Sequence, residues 1–434
     1  MSESVRRAAP PPPRAALLAP FGQRAFRILW PIWLVANACM VMGDVTLAWL
    51  MASLQRDPFL VALVQSAVSL PVFLLGLPFG ALADLLDRRR CVVLTQLWVA
   101  AGAVFLALLV WSGSTTPTLL LLLAFINGIG IAMRWPVLAA MVPDCADRDA
   151  LPQAIALNSL AMNVARLGGP LLAGAIIAHA GAAWVFVLNA VLSLACALAA
   201  LGFSTAGNHT ARAPTGNAQY TAQCPPKTLP AHRGTLCEAM ADGLRFMSSS
   251  LSMRVALSRA FVLFFHSGAL LGLLPLAAPA LDGGPVTAYP CLLAALGAGA
   301  IGTALLLPRL RASVSPTRIV LLGAGLQSAA TLGVALGGHL YLTLVAMAMA
   351  GAGWLAAFNT LTVIIQDSLP NWVRARGMSI YQMALMAGNA SGAALAGQVA
   401  RLSGVPVCLL LAALSGCCVM ALLQWKLPST TGTR

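Results

Sequence analysis

Long apolar stretches alternate with short polar segments along almost the whole chain. Each stretch is about 20 residues long, the length that an α-helix needs to cross the hydrocarbon core of a bilayer. They fall at residues 27–52, 59–83, 91–111, 118–142, 153–178, 182–203, 255–280, 288–308, 319–338, 341–366, 378–400 and 405–425. This pattern predicts an all-α integral membrane protein with twelve transmembrane helices.

The twelve stretches divide into two sets of six around a polar central segment. We predict a basic N-terminal arm at 1–26, a first bundle at 27–203, a cytoplasmic linker at 204–253, a second bundle at 254–425 and a cytoplasmic tail at 426–434. Within the linker, 235–250 carries apolar residues at helical spacing, namely Leu236, Met240, Leu244 and Met247. They predict an amphipathic helix that lies either on the membrane surface or on the loops of the bundle.

The two halves resemble each other at corresponding positions. An arginine-rich turn at 87–90 follows the second stretch, and a similar turn at 308–311 follows the eighth. Spaced glycines recur in the fifth stretch of each half, at Gly168, Gly169 and Gly174 and at Gly388, Gly392 and Gly397. Such internal repeats around a central binding site are typical of secondary transporters.

Charge placement predicts the orientation in the membrane. Only 9% of the residues are charged, against about 25% in soluble domains. Of the 26 basic residues, 21 fall on the side of both termini, whereas the opposite side has Arg56 and Arg401. Basic loops stay in the cytoplasm, so we expect cytoplasmic termini and a bacterial inner-membrane location. The net charge of +14 therefore indicates membrane topology and not nucleic-acid binding.

The sequence gives no sign of an enzyme, a metal site or a disulfide framework. Its ten cysteines are scattered and form no Cys-x-x-Cys pair. It has no phosphate-binding Gly-x-x-x-x-Gly-Lys-Ser/Thr loop, which argues against ATP hydrolysis. It also has neither a His-Glu-x-x-His nor a Gly-x-Ser-x-Gly motif. We expect no cofactor.

The turn after the second stretch carries the most specific motif, built from Gly80, Asp84, Asp87, Arg88, Arg89 and Arg90. It resembles the loop signature of the major facilitator superfamily, although Leu85 replaces the usual arginine. Matches at Gly43-Asp44, at Asn158 and from Asn163 through Arg166 to Pro170 resemble the enterobactin-exporter branch, the transmembrane secretion effectors. The resemblance implies two pseudo-symmetric six-helix bundles and proton-coupled export by alternating access, and that branch includes siderophore exporters.

The same loop can also be interpreted physically. Asp84 ends the second stretch at the cytoplasmic surface, where its carboxylate can dock against the positive N-terminal end of a helix from the other half. The three arginines can pair with Asp84 or Asp87 and contact the anionic inner leaflet. We predict a gating role for this loop; the alternative is topology control by the arginines alone.

Four ionisable residues stand out deep inside the predicted spans, where such groups face a cavity or a partner. Asp44 and Arg166 fall at similar depths, about 25 Å and 20 Å from the inner ends of their helices. We predict that Asp44 is the proton-coupling residue and pairs with Arg166; the alternative is a static structural pair. Candidates for a substrate cavity are Arg134, Arg166, Asn158, Asn163 and His266. His266 is also interpretable as a hydrogen-bonded interior histidine.

The embedded arginines outweigh the single carboxylate, and a buried charge needs a counter-charge. This balance favours an anionic or oxygen-rich substrate over a lipophilic cation. Siderophore export is the leading hypothesis and multidrug efflux is the alternative. Metabolite uptake, or a membrane sensor without transport, comes after these. We expect a monomer in the lipid bilayer.

Overall fold

The computed structural model describes residues 18–85, 87–145, 150–202, 251–281, 285–369 and 374–426. Twelve long helices lie in these ranges: α1 Arg24–Leu54, α2 Pro58–Leu85, α3 Arg88–Trp111, α4 Pro117–Cys145, α5 Leu151–His179, α6 Ala182–Leu201, α7 Leu251–Ala277, α8 Pro285–Ser313, α9 Pro316–Leu336, α10 Leu340–Ser368, α11 Arg374–Ser403 and α12 Val405–Lys426. The predicted amphipathic helix and most of the predicted linker lie outside the described residues.

Apart from the long segment between α6 and α7, the connections between helices are short, so successive helices run antiparallel. We call the side where α1 begins and α12 ends the terminal face, and the opposite side the far face. On the far face, Gly404 alone separates α11 from α12, and its φ of 86° is one that side chains other than glycine rarely adopt. Gly181, with a φ of 95°, has the same role between α5 and α6. These short turns fix the zigzag that the sequence predicts.

Helix packing repeats between the two halves. In the first half, α1 packs on α5 and α6, α2 packs on α4, and α3 packs on α6. In the second half, the equivalent helices pair in the same way: α7 with α11 and α12, α8 with α10, and α9 with α12. The predicted pair of pseudo-symmetric six-helix bundles is therefore confirmed.

Eleven of these twelve helices are long and apolar enough to cross a membrane. The exception among the described helices is α11, whose 30 residues include arginines, glutamines and Asn389. This helix packs between α2 of the first bundle and α7 of its own bundle. A helix enclosed by neighbours exposes less of its surface to lipid, so its sequence tolerates more polar residues.

In the part of the chain that the structure describes, the two bundles share a hydrophobic core in their far halves. The largest hydrophobic cluster there joins both bundles, from Met42 and Val61 to Leu273 and Leu292. In the terminal halves each bundle has its own cluster, around Phe26 in the first and around Tyr381 in the second. The bundles therefore close on the far side and separate toward the terminal face.

Candidate functional site

A cavity of about 280 Å³ lies between the two bundles, where their shared core ends. Residues from α1, α2, α4 and α5 form one wall, and residues from α7 to α11 form the other. Most of the wall is apolar. The side chains with polar atoms that line it are Asp44, Gln65, Ser69, Arg166, Ser267, Gln327, Trp354 and Asn389. This cavity is the best candidate for a substrate site in the described part of the chain.

Arg166 is the cation of this cavity. It lies on α5, and its guanidinium carbon is 4.8 Å from the centre of the Trp354 ring on α10. A cation over an aromatic face is stabilised by the ring quadrupole, and here the contact crosses from one bundle to the other. Among the described residues no acidic side chain comes within 4.0 Å of Arg166. Its charge is therefore available to a ligand.

Asp44 lines the same cavity from α1. Its Oδ1 accepts a hydrogen bond of 3.3 Å from Nδ2 of Asn127 on α4. The predicted ion pair between Asp44 and Arg166 is absent from this conformation. Arg134 acts electrostatically on Asp44 from inside the first bundle, whereas Arg166 has no acidic side chain within 4.0 Å among the described residues. Asp44 and Arg166 therefore lie at similar depth and line the same cavity, but they form no ion pair.

Arg134 lies behind the central cavity, inside the first bundle, and is 2% exposed. It donates to the backbone oxygen of Ala36 at 2.8 Å and to Sδ of Met40 at 3.0 Å. It also lines a separate internal space of about 30 Å³ that includes Asn127 and Asn189. Arg134 therefore does not line the wall where we predicted it to meet substrate, because its helix turns the side chain into the bundle interior.

The other predicted cavity residues also lie outside this wall. Asn158 is 7% exposed, and its backbone oxygen accepts from Nε1 of Trp33 at 3.2 Å. Asn163 is half-buried on α5 and is not part of the lining. His266 joins α7 to α12: Nδ1 lies 2.8 Å from the Val262 oxygen and Nε2 lies 3.1 Å from Oγ of Ser415. This arrangement matches the alternative of a hydrogen-bonded interior histidine.

The described part of the predicted gating loop is a helix cap. Asp87 accepts a 2.9 Å bond from the backbone nitrogen of Arg89 at the start of α3, and its Oδ2 lies 3.9 Å from Nε of Arg90. Arg89 donates to the backbone oxygen of Ala200 at the end of α6, at 3.0 Å. The side chains of Asp84 and Arg88, and the surroundings of Gly80, lie outside the described residues. The gating role stays a prediction.

Several lining residues were missed by sequence reasoning. Trp354 follows a glycine pair on α10, Gln65 lies in the first third of α2, and Gln327 donates to Oγ of Ser267 at 2.7 Å inside the second bundle. An aromatic residue or a lone glutamine in an apolar stretch has no sequence feature that separates a cavity wall from a helix contact. Only the packing of the helices shows which of these side chains face each other across the cavity.

Known proteins similar to this chain are membrane transporters. It is 27% identical over 151 residues to the staphyloferrin A transporter of Staphylococcus aureus, which covers 35% of this chain and 38% of that protein. It is also 27% identical over 180 residues to the putative multidrug resistance protein MdtD of Cronobacter sakazakii, which covers 40% of this chain and 37% of that protein. The chain thus aligns with well under half the length of these relatives.

The fold has a close match among solved structures. A POT family transporter in complex with 5-aminolevulinic acid superposes with a TM-score of 0.73, covering 94% of this chain and 97% of that chain at 11% identity. At that identity the likeness concerns the fold alone. The sequence profile described as transmembrane secretion effector matches residues 15–433. The chain therefore belongs to the transmembrane secretion effector family of the major facilitator superfamily, and it is a multi-pass membrane protein.

Proposed function

We propose that this transporter exports a small anionic, oxygen-rich molecule in exchange for protons, and that the molecule is a siderophore. The observation that carries the proposal is the position of Arg166, a cation of the central cavity without an acidic partner within 4.0 Å among the described residues. A charge in a low-dielectric site is costly unless a counter-charge or hydrogen bonds compensate it. A carboxylate or other oxyanion of a substrate would supply that compensation.

The remaining cavity groups support an oxygen-rich ligand. Gln65, Ser69, Gln327 and Asn389 offer amide and hydroxyl groups around an otherwise apolar wall, the usual composition of a small-molecule site. Gln327 Oε1 is buried and has no hydrogen-bond partner among the described residues, so a ligand hydroxyl that reached this part of the cavity wall would satisfy an unpaired acceptor. The site therefore combines one fixed cation, a few polar groups and aromatic surface.

Asp44 is our proposed proton-coupling residue. It borders the cavity, it is held by Asn127, and it interacts electrostatically with Arg134 inside the bundle. A carboxylate in this position can release its proton to the open side and rebind one when the cavity faces the other side. We propose that Arg134 interacts with Asp44, whereas Arg166 binds the substrate. Rocking of the two bundles around the cavity would open it to each side of the membrane in turn.

We further propose that the terminal face is cytoplasmic and that the protein works as a monomer in a bacterial inner membrane. The asymmetry of basic residues supports this orientation. The described conformation, closed on the far side, would then face the cytoplasm. No cofactor is needed for such a cycle, because the proton gradient supplies the free energy.

Multidrug efflux is the second candidate. The observation that favours it is the adaptable apolar lining, with Met40, Met386, Phe264 and Trp354 around the cavity. Methionine and aromatic side chains accommodate ligands of varied shape. The similarity to putative multidrug resistance proteins agrees with this alternative. When Asp44 is protonated, however, the charge of Arg166 would repel lipophilic cations from the cavity.

The experiment that tests the proposal compares secreted siderophore in the source bacterium and in a strain that lacks this gene. We expect secretion to fall in the deletion strain and to return with the wild-type gene. Arg166→Gln should not restore it, because the cation is lost. The matched control is His266→Gln, which changes a polar residue outside the cavity and should restore secretion. Unchanged secretion with increased sensitivity to ethidium would support drug efflux instead.

A further inference from the structure

Two of the contacts between the bundles, α5 with α8 and α2 with α11, differ in the polar groups that cross them. Where α5 meets α8, small residues bring backbones together: a methyl group on Gly174 would lie 2.6 Å from the Pro290 ring, and one on Gly297 would lie 2.9 Å from the Arg166 oxygen. Where α2 meets α11, polar groups cross the boundary. We call the second contact, formed by residues 57–72 with residues 389–401, the α2–α11 seam.

Two buried hydrogen bonds cross the α2–α11 seam. Nδ2 of Asn389 donates to Oγ of Ser69 at 2.7 Å, and Oγ of Ser66 donates to the backbone oxygen of Ala390 at 2.7 Å. Asn389 and Ser69 also line the central cavity. The innermost bond of the seam therefore lies at the wall that a ligand would touch.

An ion pair closes the same seam at the far surface. Nε of Arg401, at the end of α11, lies 3.8 Å from Oδ2 of Asp57, one residue before α2. Asp57 also accepts a 2.9 Å bond from the backbone nitrogen of Phe59 through Oδ1. Arg401 is one of only two basic residues that the sequence places on the far side. The other, Arg56, has no ion pair in the described part of the chain.

We propose that the α2–α11 seam is a ligand-sensitive latch that keeps the cavity closed on the far side. Asn389 is its sensing residue, because a ligand oxygen that accepts the Nδ2 hydrogen now donated to Ser69 breaks this bond. The Asp57–Arg401 ion pair stabilises the far end of the seam. A bound oxygen-rich anion thus weakens the inner end of the seam and favours opening to the far side. The ligand step rests on the proposed function, whereas the latch itself does not.

Hydrogen–deuterium exchange of the purified full-length chain in lipid nanodiscs tests the latch. Exchange in the far halves of α2 and α11 reports opening of the seam. Arg401→Gln should raise it about twofold, since an exposed ion pair contributes little. Asn389→Ala should raise it about threefold, the average effect of an interhelical hydrogen bond in a membrane. The two links are about 18 Å apart along α2, so the double variant should show the product, about sixfold.

Three controls separate a latch from general destabilisation. Asp57→Asn keeps an acceptor for the Phe59 nitrogen but removes the charge, so it should match Arg401→Gln. Arg401→Lys should restore wild-type exchange, and Arg56→Gln should leave it unchanged. Peptides of the cluster around Phe26 should exchange as in the wild type in every variant. Equal effects of Arg56→Gln and Arg401→Gln, or faster exchange throughout the chain, would overturn the latch.

The ligand step uses citrate as the probe anion, with chloride at the same ionic strength as the reference. Citrate should raise exchange in the far halves of α2 and α11 of the wild type and add nothing in Asn389→Ala. If citrate leaves the wild type unchanged while the variants respond as expected, Asn389 does not sense oxygen-rich anions. That result would sink the ligand step and leave transport to be judged from the secretion experiment.

Discussion

Gly297 offers a direct test of how the bundles close. It lies on α8 at the contact with α5, where an added methyl group would be 2.9 Å from the Arg166 oxygen and 3.0 Å from the Leu167 Cα. Both neighbours are backbone atoms, which cannot rotate away as a side chain would. Gly297→Ala must therefore push the two helices apart by a few tenths of an ångström.

The size of the effect follows from overpacking. Inserting a methylene group into a well-packed contact costs typically about 1–3 kcal/mol. The strain acts on the far-closed conformation, because this contact belongs to the part that the bundles share. A difference of that size changes the ratio of two conformations by about 5- to 150-fold. The variant should therefore populate a far-open conformation that is rare in the wild type.

Hydrogen–deuterium exchange in nanodiscs measures this shift in the far half of α8. We expect faster exchange there in Gly297→Ala. The matched control is Gly302→Ala on the same helix, because a methyl group at Gly302 meets nothing within 4 Å. Wild-type exchange in Gly297→Ala, or equal changes in both variants, would refute the idea that close backbone packing of α5 and α8 holds the far side shut.

Two further substitutions test other parts of the account. Asp44→Asn should leave folded protein but abolish transport driven by a pH gradient, because the cavity loses its only carboxylate among the described residues. Substrate accumulation in proteoliposomes with an imposed pH gradient measures this transport. Retained accumulation would show that Asp44 does not couple protons. Gly392→Ala should sharply reduce the monodisperse yield in detergent, because its methyl group would overlap the backbone oxygen of Phe265 on α7. A yield equal to that of Gly302→Ala would show that α7 and α11 can move apart.

The fold could be predicted from the sequence because the bilayer imposes a strong constraint. Backbone groups in lipid must bond within their own helix, so each apolar stretch predicts a helix whose ends lie near those observed. Helix α11 also lies where the stretch at 378–400 predicts a helix, although its polar residues exclude it from the eleven helices that are apolar enough to cross a membrane. The recurring glycines Gly388 and Gly392 allow close packing, since each meets the backbone of α7, at Phe261 and Phe265.

The candidate site was predictable only in part, because spacing gives depth but not the direction in which a side chain points. Asp44 and Arg166 were placed at similar depths and do line one cavity. Arg134, by contrast, points into its own bundle, and His266 points toward α12. The Asp57–Arg401 pair joins residues more than 300 positions apart. Such partners become visible only when the bundles are assembled.

Flux through the purified protein tests the central claim most directly. Proteoliposomes with an imposed pH gradient are supplied with the iron-free siderophore purified from the medium of the source bacterium, and the accumulated compound is measured. We expect accumulation with the wild type, its loss when a protonophore collapses the gradient, and none with Arg166→Gln. Absence of accumulation with folded wild-type protein, or equal accumulation with Arg166→Gln, would contradict the account.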